Sequence, residues 1–271
     1  MPRLSIIIVT YNSRADIERC LGSLTGAHAP AVPHEILVVD NASSDDTLSV
    51  VRSQFPGVRT MASGGNGGFA HGNNIGIRHT AGELILLLNP DTVVAAGAID
   101  RLVATLDADP GAAIVGPRLV GADGHAELSF GRMISPSAEL RQKLLVTGND
   151  RQWPLIASMV ERMTQRAQVV EWVSGACLLV RRREVEAAGL LDERFFMYTE
   201  DVDLCASIRA LGRTVLFEPA AVVVHLRGRS RATVSRAADA AYRRSHVAFY
   251  EKHHPRWAPI LRAYLRITGK M

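Results

Sequence analysis

Three apolar runs in the first third of the chain stop abruptly at polar residues, and each is too short for a helix. They are Leu4-Ser5-Ile6-Ile7-Ile8-Val9, Ile36-Leu37-Val38-Val39 and Leu84-Ile85-Leu86-Leu87-Leu88. They end at Thr10-Tyr11-Asn12, Asp40-Asn41-Ala42-Ser43-Ser44-Asp45 and Asn89-Pro90-Asp91. Runs without polar alternation predict strands buried on both faces, hence a mostly parallel sheet. Residues 15–24 and 47–54 lie between them with helical spacing, which gives a β-α-β order. The polar strand ends then share one edge, where open α/β sheets hold their ligands.

The chain has 271 residues, 47% hydrophobic and 21% charged, enough for one large core or a core with a small subdomain. Cys20, Cys177 and Cys205 are odd in number and lack metal-site spacing, which fits buried thiols in a reducing compartment. The start, Met1-Pro2-Arg3, runs straight into the first strand, and no apolar run approaches the roughly 20 residues that span a bilayer. A cytoplasmic protein is expected. Residues 227–271 hold eleven Lys/Arg and two acids, a net of +9, so the remainder carries −5 of the total +4. In this tail Trp257, Ile260, Leu261, Tyr264 and Leu265 recur at helical spacing while Arg262 and Arg266 fall opposite, as in helices that lie in an anionic membrane surface. Docking on the domain with solvated arginines is the other reading. Nucleic acid is disfavoured, because the tail holds no recognised binding motif and the rest is acidic.

The residues resemble a known family at this point. Residues 5–12 and Val38-Val39-Asp40-Asn41, then Gly65-Asn66-Gly67-Gly68-Phe69-Ala70-His71-Gly72-Asn73-Asn74-Ile75-Gly76 and Leu88-Asn89-Pro90-Asp91, are similar to the family 2 glycosyltransferases, in their bacterial rhamnosyltransferase-like branch. The resemblance continues through Trp172-Val173-Ser174-Gly175-Ala176-Cys177, Phe195-Phe196-Met197-Tyr198-Thr199-Glu200-Asp201 and His225-Leu226-Arg227-Gly228-Arg229-Ser230, so it covers residues 3–230 in order. It implies an α/β glycosyltransferase A-type fold: a mostly parallel nucleotide-binding sheet flanked by helices, with a helical tail. Residues 1–230 would form the catalytic domain, with a donor half at 1–115 and an acceptor half at 116–230, and residues 231–271 the basic amphipathic tail.

Asp40, at a strand end, suits the N–H groups of a base, which the resemblance implies is a pyrimidine held between Asp40, Asn41 and Thr10-Tyr11-Asn12. A plain helix cap is the alternative, although Ser43, Ser44 and Asp45 already compete for that duty. The stretch 64–76 carries six glycines and is expected as a loop that approaches phosphate closely, through Gly65 and Gly68 with Phe69, while Asn66, Asn73 and Asn74 meet sugar hydroxyls or hold the loop. It lacks the Walker lysine and dinucleotide spacing, which excludes ATPase and dehydrogenase readings. Asp91 occupies the family's metal position and suits Mg2+ or Mn2+, whereas the usual first carboxylate of that motif is here Asn89, so the ion is expected to arrive with the nucleotide. His225 matches a position that supplies a further ligand; a structural strand-end histidine is the alternative.

The resemblance assigns the general base to Asp201, with Glu200 orienting it or the acceptor and Asp203 capping or pairing with the following helix. Trp172, Ser174, Gly175 and Ala176 would form the wall between donor and acceptor. The basic stretch 135–171, with helical-looking 138–146 and 155–168, would shape the acceptor site or a homodimer surface. Together these imply an inverting transferase that carries a sugar, foremost L-rhamnose from dTDP-L-rhamnose and next a UDP-linked sugar, onto a polyprenyl-diphosphate-linked saccharide or polysaccharide at the inner face of the plasma membrane. A nucleotide-sugar sensor without turnover is the contrasting class. A nucleotidyltransferase would need a basic triphosphate loop, where only Arg14 stands.

Overall fold

The structure is a computed structural model that describes residues 1–226 and 236–268, with no account of side chains at 236–239; Arg227, Gly228, Arg229 and Ser230 of the last motif lie outside the described residues. The three apolar runs become strands β1 (Leu4–Thr10), β2 (His34–Asp40) and β4 (Leu84–Leu88), and with β3 (Arg59–Ala62) they pair in parallel in the order β3-β2-β1-β4. Helices α1 (Arg14–Gly22), α2 (Thr47–Gln54) and α3 (Gly68–Arg78) connect them. The lack of alternation has the expected cause. Leu4, Ile6 and Ile8 face one core with Ile17 of α1 and Val51 of α2, while Ile7 faces a second core with Ile77 of α3. Each such fully buried side chain contributes about 1.5–3 kcal/mol.

Beyond β4 the sheet is mixed. After β5 (Thr92–Val94) and α4 (Ala98–Ala108) come β6 (Ala112–Gly121) and the short β7 (Phe130–Gly131). Helices α5 (Pro136–Asp150) and α6 (Pro154–Met163) follow, then β8 (Gln168–Val170), β9 (Trp172–Val173) and β10 (Cys177–Arg181). Strand β10 inserts between β4 and β6, antiparallel to both, with Cys177 opposite Leu88. After α7 (Arg182–Ala187) and α8 (Glu200–Ala210), β11 (Thr214–His225) runs parallel to β6, shifts register between Glu218 and Val222, and ends with His225 opposite Thr92 of β5. All-parallel pairing is thus a property of the N-terminal four strands. The hydrophobic runs alone could not distinguish a parallel neighbour from an antiparallel one, because burial on both faces is common to the two.

The tail forms α9 (Arg236–His253) and α10 (Ala258–Ile267), separated around Pro255. A third core joins Phe249, Tyr250 and Ala258 of the tail to Phe195 and Val202. The amphipathic face of α10 is split between two environments: Leu265 is buried and Leu261 packs on this core, whereas Trp257, Ile260, Tyr264 and Ile267 are exposed. Among the described residues no helix is long and apolar enough to cross a membrane.

Candidate active site

The ends of β1 and β2 are stitched together by short polar side chains. Thr10 Oγ1 donates to Asp40 Oδ1 at 2.8 Å, and Ser43 donates to the same carboxylate through its amide, 2.9 Å, and its hydroxyl, 2.5 Å. Asn12, with φ 51°, accepts from the Ser44 amide at 2.8 Å, and its own amide donates to Ser43 Oγ. Asp45 accepts from Thr47 and from the Arg14 amide. Asp40 is therefore a turn-building residue in this structure, 2% exposed, while neighbouring Tyr11 stays open to solvent.

The glycine-rich stretch departs from the expected loop. From Gly68 onward it is helix α3, and its glycines serve packing: a Cβ on Gly72 would lie 2.6 Å from Val9 and one on Gly76 would lie 2.4 Å from Ile7. Their spacing of four residues puts both on the face against β1. Of the two duties expected of Asn73 and Asn74, meeting sugar hydroxyls or holding the stretch in place, their bonds here serve the second. Both are buried; Asn73 donates to the Phe69 carbonyl, and Asn74 spends its amide on Leu191 and Glu193. Gly65 and Asn66 remain in the turn before the helix, and Asn66 Oδ1 accepts from the Gly68 amide at 3.2 Å.

Gly68 has φ 86°, and a Cβ there would sit 2.0 Å from the Phe196 carbonyl oxygen, which instead accepts from the Phe69 amide at 3.1 Å. The acidic segment is thereby locked against the helix start. Asn41 fastens the same point from β2, since its Nδ2 donates to the Gly68 carbonyl at 2.9 Å. Gly175 closes the junction from the other side: its amide donates to Asp201 Oδ2 at 2.7 Å, and an added Cβ would stand 3.1 Å from Asp201 Cβ and 3.4 Å from the Phe69 ring. Ser174 is held by Ser129, and the Ala176 carbonyl accepts from the Asn89 amide at 2.9 Å, which ties this wall to the Asn89-Pro90-Asp91 turn. Trp172 is half-buried. Its Nε1 donates to the Arg132 carbonyl at 2.8 Å and its ring packs between two cores.

Burial raises the Asp201 carboxyl above its ordinary value, opposed by the Gly175 and Val202 amides. Burial, and after it the charge of Asp201, raises Glu200 as well. Glu200 Oε2 is buried with no hydrogen-bond partner among the described residues. Two amide donors favour the charged form of Asp201, so the first proton taken by the pair sits on Glu200.

Asp91 and His225 meet because β5 and β11 pair in register. His225 Nε2 stands 3.4 Å from Asp91 Oδ1, and Nδ1 stands 3.1 Å from Glu127 Oε2. Burial alone would lower the histidine's pKa, but hydrogen bonds to Asp91 and Glu127, and their charges, outweigh it and raise it to about 9. Without an ion the ring is therefore protonated, so a divalent ion held by Asp91 and His225 would have to displace the Nε2 proton. Among the described residues, no group of three or more His, Cys, Asp or Glu side chains is arranged to hold a metal ion. Glu127 escaped the sequence reading: it lies 98 residues from His225 in the chain, in a stretch without periodicity or motif.

A family model described as "Glycosyltransferase like family 2" matches residues 2–258. The chain is 32% identical to the N-acetylglucosaminyl-diphospho-decaprenol L-rhamnosyltransferase of Mycobacterium tuberculosis, over 98% of this chain and 88% of that protein. Among solved structures it resembles the mannosyltransferase PcManGT from Pyrobaculum calidifontis in complex with GDP-Man and Mn2+, with a TM-score of 0.61 at 21% identity over 97% of this chain and 69% of that one. It also resembles GalNAc-T7 with UDP, GalNAc and Mn2+, with a TM-score of 0.60 at 17% identity over 83% of this chain and 44% of that one. These likenesses establish the glycosyltransferase A-type fold.

Proposed function

The chain belongs to the glycosyltransferase-like family 2, and on that premise we propose that it moves L-rhamnose from dTDP-L-rhamnose to a hydroxyl of a polyprenyl-diphosphate-linked saccharide, with inversion at the anomeric carbon. The observation that carries this reading is the Asp201 carboxylate, oriented by the Gly175 and Val202 amides at the point where the glycine-rich helix begins. The relative's printed name, an L-rhamnosyltransferase of N-acetylglucosaminyl-diphospho-decaprenol, supports the choice of sugar and of acceptor class.

In this mechanism the nucleoside rests against Tyr11 and Asn12, on the turn that buried Thr10, Asp40 and Asn41 build beneath them, and the diphosphate lies by Gly65, Asn66 and the head of α3 near Phe69. The acceptor oxygen attacks the anomeric carbon while the carbon–oxygen bond to the diphosphate breaks, and the electron pair of that bond leaves with the diphosphate. Asp201 receives the hydroxyl proton as the new bond forms. Protonated Glu200 supplies a hydrogen bond to the acceptor, and Ser174, Gly175 and Ala176 keep water from the reacting centre. Asp91 and His225 would hold a divalent ion, which when bound would supply positive charge against the negative charge of the diphosphate. The tail contributes binding to an anionic membrane through the exposed ridge Trp257, Ile260, Tyr264 and Ile267.

A panel of dTDP-, UDP- and GDP-linked sugars, each with Mn2+, tests the donor. The dTDP-L-rhamnose sample should give the largest thermal stabilisation and transfer sugar to a polyprenyl-diphosphate-linked N-acetylglucosamine. Stabilisation by a UDP-sugar instead moves the donor assignment there, and donor binding without turnover on any acceptor supports a sensor.

A further inference from the structure

The two residues that precede the acidic pair carry backbone strain. Tyr198 and Thr199 have φ of 68° and 67°, a left-handed conformation that non-glycine residues avoid. Two such residues in a row persist only where the surroundings over-determine them. Part of those surroundings belongs to α9. Ser245, 1% exposed, donates its hydroxyl to the Met197 carbonyl at 2.9 Å. The Tyr242 ring meets the Tyr198 ring edge-on, with centroids 5.7 Å apart. At the far end of α9, Lys252 Nζ and His253 Nε2 grip the two oxygens of buried Asp203 at 2.8 and 2.6 Å, and Lys252 reaches Asp192 at 3.0 Å. Phe249 fills the core between these ties, against Phe195 and Val202.

The segment 192–203 is therefore held from two sides. The Phe69 amide grips the Phe196 carbonyl and the Gly175 amide grips Asp201 on the donor side, and α9 grips Met197 and Asp203 on the other. We infer that α9 is a positioning clamp for the catalytic carboxylate pair, in which Ser245, through Met197 and the strained 198–199 turn, and Lys252 with His253, through Asp203, hold Asp201 at its working orientation. The inference rests on the reading of Asp201 as the base, and it assigns a catalytic duty to a helix that follows the last strand of the sheet.

Three variants, assayed as full chains with saturating donor, test it. Ser245→Ala removes one hydroxyl and creates no charge, and it should lower kcat about tenfold while the donor KM and the donor-induced thermal shift stay within twofold. Ser245→Thr restores the hydroxyl and should recover most of that loss. Asp203→Asn weakens the grip at the other end and should show the same split between kcat and KM. Unchanged kcat in Ser245→Ala overturns the clamp, and so does a parallel loss of kcat and donor affinity, which marks a merely structural contact. Asp201→Asn, run beside them, separates the two readings: if it retains turnover the base assignment fails, whereas an inactive Asp201→Asn with a normal Ser245→Ala removes the clamp alone.

Discussion

The two halves of this molecule build their parts of the site by opposite means. In the N-terminal half, the ends of β1 and β2 are adjacent strands in register, so Thr10 and Asp40 are partners 30 residues apart and the polar turn closes on itself. In the C-terminal half, Asp201 accepts from an amide of the 172–176 segment, Phe196 is tied to the helix start, and α9 bonds Met197 from beyond the sheet. A site made from strand ends inherits its geometry from the ladder. A loop site has no ladder and depends on remote contacts, so it tolerates less change at a distance.

The largest effect expected is at the base. Asp201→Asn should reduce kcat by about 10²–10⁴ in a transfer assay and leave donor binding intact. The acid limb of the wild-type rate profile belongs to the same contrast: burial raises this carboxyl, and the base works only when ionised. Activity should therefore fall, as pH is lowered, at a point above the ordinary aspartate value of about 3.9. A limb at or below that value removes Asp201 from the role.

Next comes the joint between the halves. Gly68→Ala drives a methyl to 2.0 Å from the Phe196 carbonyl at a φ that alanine resists, whereas Gly65→Ala meets nothing within 4 Å. The first should cost about 3 kcal/mol or more in denaturant unfolding and most of the activity, and the second less than about 0.5 kcal/mol. Equal effects of the two would mean that the contact with Phe196 joins nothing.

Glu127→Gln probes the C-terminal half's support of the metal site. It should weaken Mn2+ affinity about 10–100-fold by calorimetry in the presence of nucleoside diphosphate, because an orienting carboxylate on a ligand histidine is lost. Unaltered affinity would deny Glu127 that duty. The smallest effect concerns the divided face of α10. Trp257→Ser with Ile260→Ser should cut binding to anionic vesicles severalfold with folding stability within about 0.5 kcal/mol, while Leu265→Ala should cost about 2 kcal/mol and leave vesicle binding alone. If the exposed pair matters no more than Leu265 for vesicles, the ridge is not a membrane contact.

Much of the N-terminal half was legible because its information is local. An apolar run that stops at Asp40 or Asn89 announces a strand end, and the β-α-β order places those ends on one edge. Gly72 and Gly76 misled for a physical reason: a glycine that lets a ligand approach and one that lets a strand approach look alike in sequence, and here Val9 and Ile7 are the neighbours. The tail's periodicity correctly predicted an amphipathic helix, but periodicity reports one apolar face. It has no means of dividing that face between Leu265 on the domain and Ile260 in solvent.

The order of residues by itself determined the three N-terminal strands, the polar residues at their ends and the family to which the chain belongs, since each of these rests on side chains within a few positions of one another. Tertiary structure decided the antiparallel insertion of β10, the meeting of Glu127 with His225, and the hold of α9 on the turn before Asp201. Those contacts join residues about 50 to 100 positions apart along the chain. Whether such pairs meet is settled by which buried surfaces pack most completely across the whole molecule, a quantity that no local pattern encodes.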